Sequence, residues 1–312
     1  MAKDRTLISD FMTYLEVERN RSERTVKNYD FYLRRFFTWA QHVPPEKIDL
    51  DLVRKYRVWL NRAKDQHGRS MKKNTQNYHL IALRSFLKYL AKRDVKTLAP
   101  EKIELARMPE RSVAFLDAPE LERLLEAPLV GRKGEEPPSL LQLRDKAILE
   151  MLFSTGLRVS ELAGLTREMV NLKQEEFTVR GKGDKPRVVF LSNQARHWLQ
   201  LYLDRRGDVE PHLFVSHDRA ANGREYDGGL TPRSIQRIVE HYARVAGITK
   251  RITPHTVRHT FATDLLRNGA DIRSVQTLLG HSSITTTQIY THITDERLRE
   301  VYDAFHAKRR KR

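Results

Sequence analysis

Six side chains in the second half of the chain have types and an order that suit one kind of chemistry. They are Arg158, Lys182, His255, Arg258, His281 and Tyr290. They are set in Ser-Thr-Gly-Leu-Arg-Val-Ser-Glu-Leu (154–162), Gly-Lys-Gly-Asp-Lys (181–185), Pro-His-Thr-Val-Arg-His (254–259) and Leu-Gly-His-Ser-Ser-Ile-Thr-Thr-Thr-Gln-Ile-Tyr (279–290). Two guanidinium groups, an ammonium, two imidazoles and a phenol make a metal-free kit for attack on a phosphodiester. In a chain of net charge +17 the most plausible phosphodiester is DNA.

Each residue also has a plainer reading. Tyr290 is one of 11 tyrosines, and a phenol of pKa near 10 is phenolate only about one part in a thousand at pH 7, a deficit of roughly 4 kcal/mol. It needs a base or strongly positive surroundings to act as a nucleophile. Thr253-Pro254 reads as an N-cap with proline at the first helical position, which puts His255 and Arg258 on one face near a helix amino end. Free amides and a positive dipole make that end a seat for a phosphate oxygen. Arg158 is either a phosphate clamp positioned by Glu161 or half of a surface ion pair with it. Lys182 sits on a hairpin tip between Gly181 and Gly183, solvated or reaching to protonate a leaving oxygen; the pattern is not a Walker loop. His255, His259 and His281 resemble a zinc set only superficially, because no cysteine or suitable acidic ligand completes it.

The elements that must position these groups fall into two parts. The 312 residues suffice for two domains with separate cores. Residues 1–107 hold 24 Lys and Arg against 13 Asp and Glu, and the remainder 33 against 27, so the basic excess is concentrated where a DNA clamp would be. No apolar run approaches the roughly 18–20 residues that span a bilayer, and the first ten residues lack the apolar core of a secretory signal. Without cysteine there are no disulfides and no thiol nucleophile; a cytoplasmic protein is expected.

The first hundred residues read as four helices. Phe11, Tyr14, Leu15 and Val17 mark one. Val26, Tyr29, Leu33, Phe36 and Phe37 mark a second, ended at His42-Val-Pro-Pro. Leu52, Tyr56, Trp59 and Leu60 mark a third over 49–63. Tyr78, Ile81, Leu83, Phe86 and Leu90 mark a fourth over about 74–93, with Arg84, Lys88 and Lys92 on its other faces as candidate DNA contacts. The aromatics read as core. Residues 96–113, charged and without period, read as a linker. Asp117-Ala-Pro-Glu120 then opens a helix with a capping box. A small antiparallel sheet is expected from Phe177 and Val179 alternating before the 181–184 turn, and Val188 and Phe190 after it. More helices start at Thr231-Pro232 and Thr253-Pro254.

These motifs, in this order and spacing, closely resemble the tyrosine recombinase (phage integrase) family, and most of all its Xer-type members. The likeness covers nearly the whole chain. It implies a mainly α protein: an N-terminal helical core-binding (SAM-like) DNA-clamp domain at 1–95, a linker at 96–113, a mostly helical catalytic domain at 114–307 with a small antiparallel β-sheet, and a basic tail at 308–312. It further implies that Tyr290 attacks the scissile phosphate, leaving a 3′-phosphotyrosyl link and a free 5′-hydroxyl. Arg158 and Arg258 would bind the non-bridging oxygens, Lys182 would protonate the 5′ oxygen, His255 would act as acid and base for Tyr290, and His281 would donate to the phosphate. Neither metal nor nucleotide cofactor is implied. The implied partners are double-stranded DNA, in a homo- or hetero-tetramer on two duplexes, and a paralogous recombinase.

The loop 131–138 looks slightly long for the Xer-type pattern, and the basic tail Lys308–Arg312 passes its usual end. An integrase of a phage or mobile element would use the same chemistry, although it often carries an extra arm-binding domain, whereas here the core-binding segment starts almost at residue 1. A non-catalytic DNA-binding regulator on the same fold would not need all six residue types. Leu298, Val301, Tyr302 and Phe305 form an apolar stripe after Thr294, for docking on its own domain or on a neighbouring protomer in a closed ring.

Overall fold

The computed structural model describes residues 2–64, 68–108, 114–130, 136–181, 185–217 and 228–280. They divide into two compact units, Met1–Glu110 and Arg111–Arg312. The first is helical: α1 (Ala2–Thr13), α2 (Glu23–Trp39), α3 (Leu50–Arg62) and α4 (Lys73–Ala91). Its core is aromatic, with Phe11, Phe36, Phe37, Tyr56 and Phe86 all buried and packed edge-on or tilted.

Three details depart from the periodicity. After α1 the chain widens into a π turn over Tyr14–Glu18, closed by Arg19 N–H donating to Tyr14 O at 3.0 Å, and this leaves Val17 exposed. On α4 it is Asn77 that turns inward and Tyr78 that faces water. The Asn77 amide pairs with the backbone of Ala106, donating to its O at 2.9 Å and accepting from its N–H at 3.0 Å, which sets the rotation of the helix. Within the segment 96–113 read as a linker, Ile103 is buried and Leu98 and Leu105 pack against the same core. On the surface of this unit, Arg19, Arg21, Lys88 and Lys92 surround a cavity of about 200 Å³ with Tyr29, Ser85 and Tyr89. None of the four cations pairs with a carboxylate among the described residues.

The second unit is also mostly helical: α5 (Ala118–Glu126), α6 (Leu140–Thr155), α7 (Val159–Ala163), α8 (Asn193–Arg205), α9 (Pro232–Val245), α10 (Pro254–Arg267) and α11 (Ile272–Leu279). α6 is its central element, buried nearly all round, and it packs chiefly on α8 and α10. The expected helix starts are set by their caps. Asp117 accepts from Glu120 N–H at 2.8 Å while Glu120 accepts from Asp117 N–H at 3.0 Å; Thr231 accepts from Ser234 N–H at 3.1 Å; Thr253 accepts from Thr256 N–H at 3.2 Å.

One two-stranded antiparallel sheet, β1 (Glu176–Arg180) and β2 (Pro186–Phe190), lies beside this bundle. Phe177 and Val179 point inward as expected, but on β2 the inward residue is Val189, with Val188 and Phe190 exposed. The register explains the reversal. Phe177 faces Val189 and Val179 faces Arg187, so these four share one side of the sheet. Arg187 is thereby carried to the inner face, where it has a partner to meet.

Candidate active site

The site is built where α6 ends. Gly156 caps that helix in the left-handed region (φ 59°), and a Cβ there would lie 2.5 Å from the Phe261 ring, so both backbone and packing require glycine. Two residues later Arg158 sits just before α7, and its backbone N–H donates to Glu161 Oε2 at 2.8 Å. Its side chain turns back over the same helix start, with Nη1 donating to Glu161 Oε1 at 2.8 Å.

The C-terminal end of α11 is the anchor for three arginines. The last carbonyls of a helix have no partner within it and carry partial negative charge. Here three successive ones are each taken by a different guanidinium. Arg187 Nε–H donates to Leu278 O at 3.1 Å, Arg258 donates to Leu279 O, and Arg158 Nη2 donates to Gly280 O at 3.0 Å. Arg258 also donates to Gly156 O at 2.5 Å, linking the ends of α6 and α11. It is 2 % exposed, whereas His255, one turn earlier on α10, lies at the surface with its ring 5.0 Å from that of His259. The face expected to carry both His255 and Arg258 is therefore split by burial, with the Arg258 side chain buried and His255 exposed.

Arg158 and His255 meet across a groove of about 410 Å³ that Val159, Gln236, Thr253 and Pro254 also line. Glu161 is the carboxylate among these cations. Burial pushes its pKa up, but hydrogen bonds from Arg187 and from the backbone and side chain of Arg158 outweigh that and hold it at about 2. It is ionised at every working pH. The Arg158–Glu161 ion pair is formed, and it fixes the orientation of the guanidinium. Arg158 has five N–H donors and uses two side-chain nitrogens on these contacts, leaving donors for an incoming anion.

The sequence reading missed Arg187. Its signal was strand parity: a basic residue two before an inward valine, opposite inward Val179. Lys182, His281 and Tyr290 lie outside the described residues, as do the basic tail and the apolar stripe at 298–305. In the sequence Lys182 directly follows Gly181, and His281 directly follows Gly280.

Comparison with known proteins places this geometry. Residues 114–297 match the model of the phage integrase family, and residues 8–94 match that of the phage integrase N-terminal SAM-like domain. The chain belongs to the phage integrase family. Its activity is site-specific tyrosine recombination, the cleavage and rejoining of DNA strands. It is 39% identical to the tyrosine recombinase XerD of Chlorobaculum tepidum, over 97% of this chain and 96% of that one. It is 36% identical to the tyrosine recombinase XerC of Thermodesulfovibrio yellowstonii, over 98% of both. The crystal structure of XerA recombinase superposes with a TM-score of 0.51 at 32% identity, covering 99% of this chain and 100% of that one. A post-cleavage complex of XerH with difH superposes with a TM-score of 0.67 at 21% identity, covering 95% and 84%, a likeness of fold.

Proposed function

We propose that Tyr290 is the nucleophile, with Arg158, Lys182, His255, Arg258 and His281 as the rest of the catalytic set, and that the biological role is that of the Xer recombinases, the resolution of chromosome dimers. The carrying observation is the row of carbonyls at 278–280, held by Arg187, Arg258 and Arg158 immediately before the segment that bears His281 and Tyr290.

In this reaction the Tyr290 phenol oxygen attacks the scissile phosphorus as the bond to the 5′ oxygen breaks. The phenolic proton passes to His255, and Lys182 supplies a proton to the departing 5′ oxygen, so charge and atoms balance. Arg158 and Arg258, fixed in advance, meet charge as it builds on the non-bridging oxygens, with a hydrogen bond from His281. Arginines in such positions contribute about 10³–10⁵ in rate in other phosphoryl-transfer enzymes. One phosphodiester becomes another, so the phosphotyrosine stores the bond for religation to a new strand. The +17 charge and the cations around Lys88, which have no carboxylate partner among the described residues, support binding of duplex DNA by the first unit.

The working form is a homo- or hetero-tetramer on two duplexes in the cytoplasm, with the Leu298, Val301, Tyr302 and Phe305 stripe docked on a neighbouring protomer. The names of the relatives support the Xer role over that of a mobile-element integrase.

The test uses a nicked duplex that the protein itself selects from a random library, incubated in EDTA. Wild type should give a denaturant-resistant covalent adduct and a slower species containing two duplexes, and Tyr290→Phe should give no adduct. An adduct that survives Tyr290→Phe refutes the nucleophile assignment, and single-duplex complexes alone refute the tetramer.

A further inference from the structure

Arg187 holds a junction that none of the six sequence-derived residues occupies. It leaves β2 on the inward face, and its side chain is only 8% exposed. Its Nη1 and Nη2 donate to the two oxygens of Glu161 at 2.8 and 2.7 Å. The same two oxygens accept from Arg158, Oε1 from Nη1 and Oε2 from the backbone N–H, each at 2.8 Å. One carboxylate therefore accepts four hydrogen bonds, two from each arginine, which fills its acceptor sites. If Arg187 is removed, half of Glu161 is left bare, and the nearest donor able to turn onto it is Arg158.

The other end of the guanidinium reaches the C-terminal end of α11. Nε–H donates to Leu278 O at 3.1 Å, in the carbonyl row that Arg258 and Arg158 also hold. The backbone packs close around it. A Cβ on Gly280 would sit 3.0 Å from Arg187 Cδ, and one on Gly181 would sit 3.4 Å from Nη1. Those glycines are the residues immediately before His281 and Lys182.

We propose that Arg187 is a positioning residue for recombination: it fixes Glu161, and through it Arg158, while fastening the Lys182 hairpin to the carbonyls that precede His281. This rests on the roles proposed above for Arg158 and Lys182. A buried ion pair that only holds the fold together would show up in stability and leave the chemistry of the folded protein intact.

The test compares Arg187→Lys and Arg187→Gln with wild type in single-turnover cleavage of the selected nicked duplex, at protein concentrations that saturate binding. Lysine keeps the charge but lacks the planar fork, so it cannot span both Glu161 oxygens and the Leu278 carbonyl. Both variants should cleave about 100-fold more slowly, with duplex affinity unchanged. Adding Glu161→Gln to Arg187→Gln should slow cleavage no further than the worse single change, because the two residues act as one unit. Cleavage by Arg187→Lys at the wild-type rate, or multiplied losses in the double variant, overturns the proposal. Should Arg187→Gln not fold, the lysine variant carries the comparison alone.

A readout without DNA separates this from the nucleophile assignment. The Arg158 Nε–H NMR signal of the free protein, identified by its loss in Arg158→Lys, should shift and broaden in Arg187→Lys. An unmoved signal overturns the positioning role even where Tyr290 forms its adduct. A moved signal without any adduct upholds the positioning and removes the proposed reaction.

Discussion

The two units hold their positive charge in opposite ways. In the first, cations stand on the surface, on helices and on the turn that precedes α2. Arg19, Arg21, Lys88 and Lys92 surround their cavity without a carboxylate among the described residues, and others form exposed pairs one helical turn apart, such as Lys55–Asp51 at 2.7 Å. In the second, Arg258, Arg187 and Arg206 sit in or near the core, each held by several hydrogen bonds. Arg258 holds Gly156 O and Leu279 O; Arg187 holds Glu161 and Leu278 O; Arg206 holds the carbonyls of His212 and Leu213 at 2.8 and 2.9 Å. Unsaturated surface charge attracts a polyanion over a Debye length and is weakened by salt. Buried charge held by hydrogen bonds attracts little at a distance, but its geometry is fixed before any ligand arrives. On the roles proposed above, the first arrangement would supply affinity and the second would supply rate.

The comparison breaks most visibly at Arg258. Arg258→Lys keeps the charge but cannot bridge two carbonyls belonging to different helix ends. Cleavage at saturating protein should fall on the order of 10²–10³-fold, with duplex affinity nearly unchanged. The measurement is the single-turnover adduct rate set beside a binding isotherm. Equal losses in rate and affinity would show that Arg258 acts as another clamp residue, and the division between the units would fail at its strongest point.

The mirror experiment lies in the first unit. Replacing Arg21, Lys88 and Lys92 together by glutamine should lower affinity for all duplexes alike, and should reduce the slope of log affinity against log salt by about one for each phosphate contact removed. Adduct formation at saturating protein should stay at the wild-type rate. A fall in that rate would mean that the first unit helps to set the chemistry.

How legible all this was in the sequence follows from where each partner is written. Helix starts could be read because a cap and its amide lie within four residues, as with Asp117 and Glu120 or Thr253 and Thr256. The family's residue types could be read for the same reason, since short motifs carry them. The facing of β2 could not. Val188 and Phe190 are as apolar as Val189, and the choice between them is made by the pairing with Phe177 and Val179 and by the ion pair that awaits Arg187. Nor could the inward turn of Asn77, whose partner is the backbone of Ala106, 29 residues away. The three arginines that hold the carbonyls of 278–280 are the extreme case. Their acceptors are carbonyl oxygens, which every residue owns and no letter records.

The smallest expected effect draws the finest line through the first unit. Lys27 pairs with Glu23 and Lys55 with Asp51, all four side chains being largely exposed. Pairs of this kind contribute little to stability, since water and salt screen them and two flexible side chains must be ordered to form them. Lys27→Ala and Lys55→Ala should therefore leave Tm within experimental error. They should also leave the salt slope of duplex binding unchanged, because a cation with a carboxylate beside it presents nearly no net charge to a phosphate, unlike those around Lys88. If either substitution lowers the slope by about one, that lysine abandons its carboxylate for DNA. The contact surface would then extend over α2 or α3, and the distinction that matters in this unit would be position on the duplex, with pairing in the free protein irrelevant to it.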